Sequence, residues 1–253
     1  MTEPGTVHQM WRYPVKSMQG VLADDLAVTP TGVAGDRHWA LIDESTGRVL
    51  SAKRSKALLE GVGTDGAVTL PDGTVVDLSA TDAGPALSAW LGQAVTVRTV
   101  ADAADLSFQM TFEPTNDDAE YYDIPIPDGT FVDLAAVHVI TTATLAHCAA
   151  ARPELDWDVR RFRPNVVVDL DGEPFQENGW TGRELRLGDV VLHAAQATVR
   201  CAMPLRAQPG LERQPELFKA MEELNTTMPN HLGSYLSVVQ PGTVRTGDPV
   251  SLA

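Results

Sequence analysis

Residues 68–78 read Val68-Thr69-Leu70-Pro71-Asp72-Gly73-Thr74-Val75-Val76-Asp77-Leu78, which is two strand-like runs on either side of a turn. Proline presets the backbone angle that a turn requires, and aspartate and glycine tolerate the remaining ones. The stretch therefore predicts a β-hairpin. Residues 38–51 predict a second one, because Ser45-Thr46-Gly47 separates two further strand-like runs.

Outward from these hairpins the chain continues mainly as short strands. Residues 86–91 predict a helix closed by Gly92, and residues 95–100 predict a strand. In the second half, residues 137–140 predict a strand and residues 141–150 a helix capped by a threonine hydroxyl. Further strands are predicted at residues 165–170, 184–187, 190–195, 234–239 and 249–252, with a helix at residues 215–225.

This pattern predicts a mostly β protein with a few helices (α+β), built as two closely packed units. We expect the N-terminal unit over residues 1–100, a connecting segment over residues 101–129, and the second unit over residues 130–253. The connecting segment is rich in turns and carries Asp102, Asp105, Glu113, Asp117, Asp118, Glu120 and Asp123. Such a charge run indicates a solvated loop, with an acidic docking surface for a basic redox partner as the alternative.

Charge and hydropathy exclude several classes of partner. The 253 residues include 34 acidic and 19 basic side chains, a formal net charge of -15. This charge repels phosphate backbones and anionic membranes, so we expect neither a nucleic acid nor a membrane partner. No apolar run approaches the roughly 18 residues needed to cross a bilayer, and residues 1–5 lack the segments of a secretory signal. These features predict a cytoplasmic protein.

The most informative single residue is Cys201, one of two cysteines, because Arg200 precedes it directly. A neighbouring cation favours the thiolate, which is the form that attacks electrophiles and binds soft metals. The alternative is a buried thiol that acts as a small hydrophobe. That second interpretation suits Cys148, which lies in an alanine-rich helical segment.

Several basic residues fall in turns or at strand ends, where side chains from separate elements can converge on a compact anion. They are Lys16 beside Ser17, Arg37, Arg160, Arg161, Arg163 and Arg200. The predicted helix start at Thr141 and Thr142 adds free backbone N–H groups, which also favour an anion. The alternative for each cation is a surface pair with a nearby carboxylate.

Five fragments, in order along nearly the whole chain, resemble a known family. They are Tyr13-Pro14-Val15-Lys16-Ser17, Gly35-Asp36-Arg37-His38-Trp39, Arg161-Phe162-Arg163-Pro164-Asn165, Arg200-Cys201 and the closing residues 241–250. The sequence is similar to MOSC-domain proteins that carry an N-terminal β-barrel domain, the group that includes the mitochondrial amidoxime-reducing component and its bacterial relatives. The resemblance implies an N-terminal β-barrel-like domain packed on a MOSC β-barrel domain.

The resemblance also implies a molybdenum cofactor, a phosphate-bearing pterin dithiolene whose metal takes one protein thiolate. By position, that metal ligand and catalytic residue is Cys201. The matching cofactor contacts are Lys16, Ser17, Arg37, Thr141, Thr142, Arg163, Asn165 and Arg200. The implied activity is reduction of N-hydroxylated small molecules with electrons from a separate protein, because two cysteines cannot ligate an iron-sulfur cluster.

The chain departs from better-known relatives just after Cys201, where it has Met203-Pro204-Leu205-Arg206 instead of hydroxyl residues, and at Val199, where some relatives have a small polar residue. We expect substrate choice to be decided at residues 202–206. No proton donor is assigned; His193 and His231 are candidates only because histidine as a residue type titrates near neutral pH. Two other hypotheses stay open: a carrier of the cofactor or of sulfur without turnover, and a metal-free nucleophile at Cys201.

Overall fold

The computed structural model describes residues 5–116, 118–127 and 129–253. Residues 1–4, which belong to the segment without a secretory signal, and Asp117 of the acidic run lie outside the described residues. Strands dominate the first half of the chain: β1 Gly5–Arg12, β2 Val21–Ala23, β3 Asp25–Thr29, β4 Gly32–Val33, β5 Trp39–Asp43, β6 Val62–Thr64, β7 Ala67–Thr69, β8 Val75–Asp77, β9 Val95–Thr99, β10 Ser107–Met110 and β11 Tyr122–Pro125.

The second half continues with β12 Val137–Thr141, β13 Val166–Asp169, β14 Glu184–Leu187, β15 Val190–Val199, β16 His231–Gln240, β17 Gly242–Arg245 and β18 Pro249–Leu252. The α-helices of the described residues are α1 Ala83–Leu91, α2 Thr142–Ala151, α3 Val159–Phe162 and α4 Glu216–Leu224. Short 3₁₀ turns occupy Lys56–Glu60, Val100–Asp102, Gln176–Gly179 and Met203–Leu205. The predicted mostly β class is confirmed.

A closed seven-strand barrel forms the larger unit. Its strands follow the order β13, β12, β16, β15, β14, β18 and β1, and β1 pairs again with β13 to close the ring, while β2 extends the sheet at β1. Buried and exposed residues alternate along β14, as expected when one face of a sheet packs on a core. The barrel core includes Val139, Val166, Leu185, Leu192 and Val250.

The two units share strands, so they do not follow the order of the chain strictly. Strand β1 comes from the N-terminal end but pairs with β13 and β18 of the closed barrel. Strand β17 comes from the C-terminal end but pairs with β3. Residues that lie between the units are therefore positioned by strands that hydrogen-bond across both of them.

The local predictions in the N-terminal unit are mostly confirmed. Strands β7 and β8 pair as the hairpin predicted over residues 68–78, and α1 ends at Gly92 in the left-handed conformation, with φ of 68°. The hairpin over residues 38–51 forms only in part, because β5 pairs along its whole length with β9. Residues on the other side of the turn contact β5 through the Ile42–Val49 bridge and two flanking backbone hydrogen bonds, Asp43 N–H to the Arg48 carbonyl and Leu50 N–H to the Leu41 carbonyl.

The connecting segment is more ordered than a solvated loop. Strands β10 and β11 form an antiparallel hairpin within it. Phe108 of that hairpin is buried, and it packs with Ile126 and Phe131 in a core cluster of its own. This hydrophobic anchor holds the acidic segment against the body of the protein, and it corrects the loop interpretation. Among the described helices, none is long and apolar enough to cross a membrane.

Candidate functional site

A narrow cleft of about 90 Å³ brings together seven of the nine site residues that the family resemblance implies, whereas Arg160 and Arg161 do not line it. These seven are Lys16, Ser17, Arg37, Arg163, Asn165, Arg200 and Cys201. Lys16, Ser17 and Arg37 come from turns around β1 and β5, and the other four come from the ends of α3 and β15. The cleft thus lies where the two units meet.

Three cleft residues have backbone conformations that amino acids with side chains rarely adopt. The φ angles of Ser17, Arg37 and Arg163 are 66°, 46° and 55°. Arg163 ends α3, and its N–H donates to the Val159 carbonyl. Such conformations cost on the order of 1–3 kcal/mol each and tend to occur at functional sites. All three residues with this strain line the same cleft.

Tyr13 organises two of the arginines. The Arg37 and Arg163 guanidinium carbons lie over its ring at 4.5 and 4.3 Å from the centroid. Asp36 accepts a hydrogen bond from Arg37 and another, at 3.1 Å, from the side-chain amide of Asn165. Burial and the neighbouring Arg37 lower the pKa of Arg163 to about 10, so both guanidinium groups are charged near neutral pH.

A second charge cluster lies at the other end of the cleft. Asp133 accepts hydrogen bonds from Lys16 Nζ at 2.6 Å and from Lys53 Nζ at 2.7 Å. Burial lowers the pKa of Lys16 to about 8, against the attraction of Asp133. Burial also lowers the pKa of Lys53, but Asp133 and Cys201 outweigh it and raise the value above normal. The two lysines in turn hold the pKa of Asp133 well below its ordinary value, although burial opposes them.

Cys201 is a free thiol at the inner end of this cluster, and it is partly exposed. The cation whose pKa is raised by its interaction with Cys201 is Lys53. Arg200 points elsewhere: it donates to the Phe162 carbonyl at 2.8 Å and to His138 Nε2 at 3.4 Å. The predicted effect of Arg200 on the thiolate is thus complemented by a lysine 148 positions earlier in the chain, since Lys53 and Cys201 line the same cleft.

Thr141 and Thr142 do not line the cleft. The predicted cap exists, because the Thr141 hydroxyl accepts from the Thr144 N–H, but the anion at this helix start is the buried Glu177 carboxylate. Glu177 accepts from the Thr141 N–H at 2.8 Å and from the Thr144 hydroxyl at 2.8 Å. Thr142 donates to Asp169. An internal carboxylate thus uses these donors in this structure, and the expected cofactor contact at Thr141 and Thr142 stays a prediction.

The histidines differ in whether they line the cleft. His138 lines the cleft, and burial and Arg200 keep its pKa well below the ordinary value, so it is neutral. His193 and His231, considered as proton donors, do not line it. His193 pairs with Glu184 across β14 and β15, and His231 lies near the Pro229 carbonyl.

The segment after Cys201 is mostly buried. Ala202, Pro204 and Leu205 face the interior, and Met203 is the member that reaches the cleft. The fully buried Arg161 holds the segment by donating to the Pro204 and Glu212 carbonyls at 3.0 and 2.8 Å. Residues 202–206 therefore support the cleft from behind more than they line it.

Sequence reasoning missed Lys53, Asp133 and Tyr235, all of which line the cleft. Lys53 begins the basic stretch Lys53-Arg54-Ser55-Lys56, which follows a strand-like run. Its position is therefore like that of the other cations at strand ends. Asp133 follows the acidic segment closely, so its charge is hidden among many others. Nothing in the sequence pairs these two residues.

Comparisons with known proteins agree with this architecture. Residues 4–109 match the family model of the MOSC N-terminal beta barrel domain, and residues 127–251 match that of the MOSC domain. Mitochondrial amidoxime-reducing component 1 from Homo sapiens is 24% identical over 100% of this chain and 84% of its own length. The Mus musculus protein of the same name is 26% identical over 100% and 83%. The crystal structure of the YUAD protein from Bacillus subtilis superposes with a TM-score of 0.47 and 12% identity, covering 98% of this chain and 94% of that one.

Proposed function

The chain belongs to the MOSC-domain family, with the MOSC N-terminal β-barrel domain preceding the MOSC domain, and on this premise we propose that it binds a molybdenum cofactor and reduces N-hydroxylated compounds. The relatives named amidoxime-reducing components support this class of reaction. The protein would take its electrons from a separate donor protein.

One observation carries the proposal: the local charge of the cleft is opposite to that of the protein. Five cations line the cleft, and Asp133 is the carboxylate that lines it with them. The cations are Lys16, Arg37, Lys53, Arg163 and Arg200. A chain with a net charge of -15 that concentrates buried cations around a thiol is suited to a compact anionic ligand with a soft metal.

The donor set fits the phosphate-bearing pterin dithiolene that the family implies. Arg200 Nε is buried and lacks a hydrogen-bond partner among the described residues, so a donor remains for a ligand. Where the chain is described, no group of three or more His, Cys, Asp or Glu side chains is placed to hold a metal ion. A metal beside Cys201 would therefore take its other ligands from the dithiolene. The fit is one of charge and hydrogen-bond donors.

In this proposal each side chain has a defined task. Cys201 Sγ supplies the protein ligand to the metal, and Lys53 stabilises its thiolate by charge. Lys16, Ser17, Arg37, Arg163 and Arg200 bind the anionic and pterin portions, and Asn165 fixes their geometry through Asp36 and the His138 N–H. The bound cofactor would supply the two-electron chemistry. The net reaction consumes two electrons and two protons, cleaves the N–O bond and releases water.

The proposal also extends to the compartment and the donor. Both cysteines are free thiols, which suits a reducing compartment such as the cytoplasm. Cys148 is buried away from the cleft and Cys201 is assigned to the metal, so this chain offers no iron-sulfur cluster to relay electrons. The acidic surface of the protein favours a donor with a basic face.

The test is metal and pterin content after expression in a host that makes molybdenum cofactor. We expect wild type to retain both, Cys201→Ala to lose molybdenum, and the matched variant Cys148→Ala to behave as wild type. Reduction of an amidoxime with an artificial electron donor then distinguishes an enzyme from a carrier, because a carrier retains the metal without turnover. Wild-type protein without molybdenum, or equal metal content in the Cys201 variant, would contradict the proposal.

A further inference from the structure

An apolar groove of about 310 Å³ opens from the cleft at Cys201. Its walls include Met110, Phe112 and Ile124 from the β10–β11 region, together with Leu134, Val199 and Phe218. Its volume lies within the range of small-molecule pockets, and such pockets are lined mainly by apolar and aromatic side chains with a few polar groups.

Several side chains in the walls of the groove are unusually exposed for apolar residues. Phe112 is 71% exposed, Leu134 54% and Val199 47%. Isolated exposed hydrophobic residues are common, but a cluster that surrounds one opening marks a binding surface. The Phe112 ring contacts that of Tyr122, with centroids 5.3 Å apart.

The groove and the cleft are continuous. Lys53, Asp133, Arg200, Cys201 and Tyr235 line both of them. One end of the groove is therefore charged and reaches the thiol, and the other end is apolar and reaches solvent. A molecule that fills it has a small polar head and a bulky apolar body.

We propose that this groove binds the apolar body of the substrate, of the size of a phenyl ring or larger, and that Phe112 and Leu134 determine this preference. The inference rests on the proposed function and names its substrate class: N-hydroxylated compounds with an aryl or similarly bulky apolar group. The hydrophobic anchor of the acidic segment thereby gains a role, because it holds Phe112 beside the thiol.

Asp133 is suited to receive the polar head. Each of its oxygens accepts one hydrogen bond from a lysine, and a carboxylate has about four acceptor positions in all. The lysines keep it ionised, so it remains an acceptor for the N–H and O–H groups of an amidoxime. The apolar body then extends along the groove toward Phe112.

The test compares two substrates that share a head group. Acetamidoxime carries a methyl group and benzamidoxime a phenyl group, and both are reduced with an artificial electron donor by the cofactor-loaded protein. We expect wild type to have a KM about tenfold lower for benzamidoxime, since burying a ring adds more than one kcal/mol of binding. Phe112→Ala is expected to raise the KM for benzamidoxime about fivefold to tenfold and to change that for acetamidoxime less than about twofold.

Leu22→Ala is the control, because Leu22 is also an exposed apolar residue, at 58%, and lines neither the cleft nor the groove. It should leave both substrates unchanged. Equal effects of Phe112→Ala on both substrates, or no effect on either, would overturn the inference and indicate that the groove contacts something other than the substrate body.

A binding measurement separates this inference from the proposed function. The affinity of 4-fluorobenzamidoxime, measured by fluorine NMR, requires no turnover. Weaker binding to Phe112→Ala with unchanged binding to Leu22→Ala supports the groove even if the protein reduces nothing. Absence of binding to the wild-type protein, or equal binding to wild type and Phe112→Ala, overturns the groove even if the reductase activity is established.

Discussion

Replacing Asp133 by asparagine removes the carboxylate that joins Lys16 and Lys53 while keeping the shape of the side chain. Both lysine side chains are 4% exposed, and the Asp133 side chain is 35% exposed. On their other side the lysines face the ring of Phe108, at 4.8 and 4.0 Å from its centroid. An aromatic ring stabilises a buried cation much less than a carboxylate does.

The expected loss in the free energy of unfolding at pH 7 is about 2–3 kcal/mol. Removal of one partner from a buried ion pair costs roughly 3–5 kcal/mol, and the partial exposure of Asp133 reduces that cost. For a chain of this size such a loss lowers Tm by about 5–10 °C. Urea unfolding followed by circular dichroism measures the free energy directly.

The loss should shrink as the pH rises from 7 to 10. The pKa of Lys16 is already lowered to about 8, and loss of Asp133 removes an attraction that raises the pKa of both lysines. Deprotonation in the folded variant thus removes the uncompensated charge at a lower pH than in wild type. Asp133 itself is ionised throughout this range, because its pKa is held well below the ordinary value. The pH dependence accordingly belongs to the lysines.

Asp65→Asn is the control, since Asp65 pairs with Arg12 at 2.5 Å on the surface. Its cost should stay below about 1 kcal/mol and should not vary over the same pH range. An Asp133→Asn protein as stable as wild type, or a loss that does not change between pH 7 and 10, would refute the assignment of Asp133 as the charge that compensates both lysines.

Three further outcomes follow from the contacts. Glu177→Gln should cost about 1.5–3 kcal/mol in urea unfolding, since the buried carboxylate accepts from Thr141 and other donors, and should leave molybdenum content unchanged. Maleimide at pH 7.5, followed by mass spectrometry, should label Cys201 and not Cys148 in the native protein, because burial raises the pKa of Cys148 to about 12; labelling of both would contradict this. Calorimetry should show pyrophosphate binding that weakens as the pH rises above about 8, where Lys16 loses its charge, and Lys16→Met should flatten that profile.

Local sequence chemistry predicts the elements whose stabilising contacts are close in the chain. The turn at Pro71-Asp72-Gly73 and the left-handed Gly92 at the end of α1 are decided by backbone preferences of single residues. The partner of β5 is different, because β9 lies about fifty positions away and nothing in either strand specifies the other. Closure of the barrel by β1 is of the same kind, since its register depends on β13 and β18.

The same distinction between local and long-range contacts applies to the site. The positions of the cations at turns and strand ends are visible in the sequence, and the structure brings Lys16, Arg37, Arg163 and Arg200 together. At the start of α2, the donors that the sequence offers to an anion bind Glu177, which lies 36 positions after Thr141. A motif shows which donors exist, whereas the fold decides which of them another residue has already used.

The protein has a negative net charge and its cleft a positive one, and this difference selects ligands by size. Surface charges more than about 8 Å from a bound group are largely screened at physiological salt, whereas buried charges are screened much less. A compact anion in the cleft therefore interacts mainly with five desolvated cations, while an extended polyanion also meets the acidic surface. Asp133 pairs with Lys16 and Lys53, and Asp36 pairs with Arg37, so the two carboxylates offset only part of the positive charge. We therefore expect an anion in the cleft to stabilise the folded protein. Ligand binding and folding are consequently coupled through the same side chains.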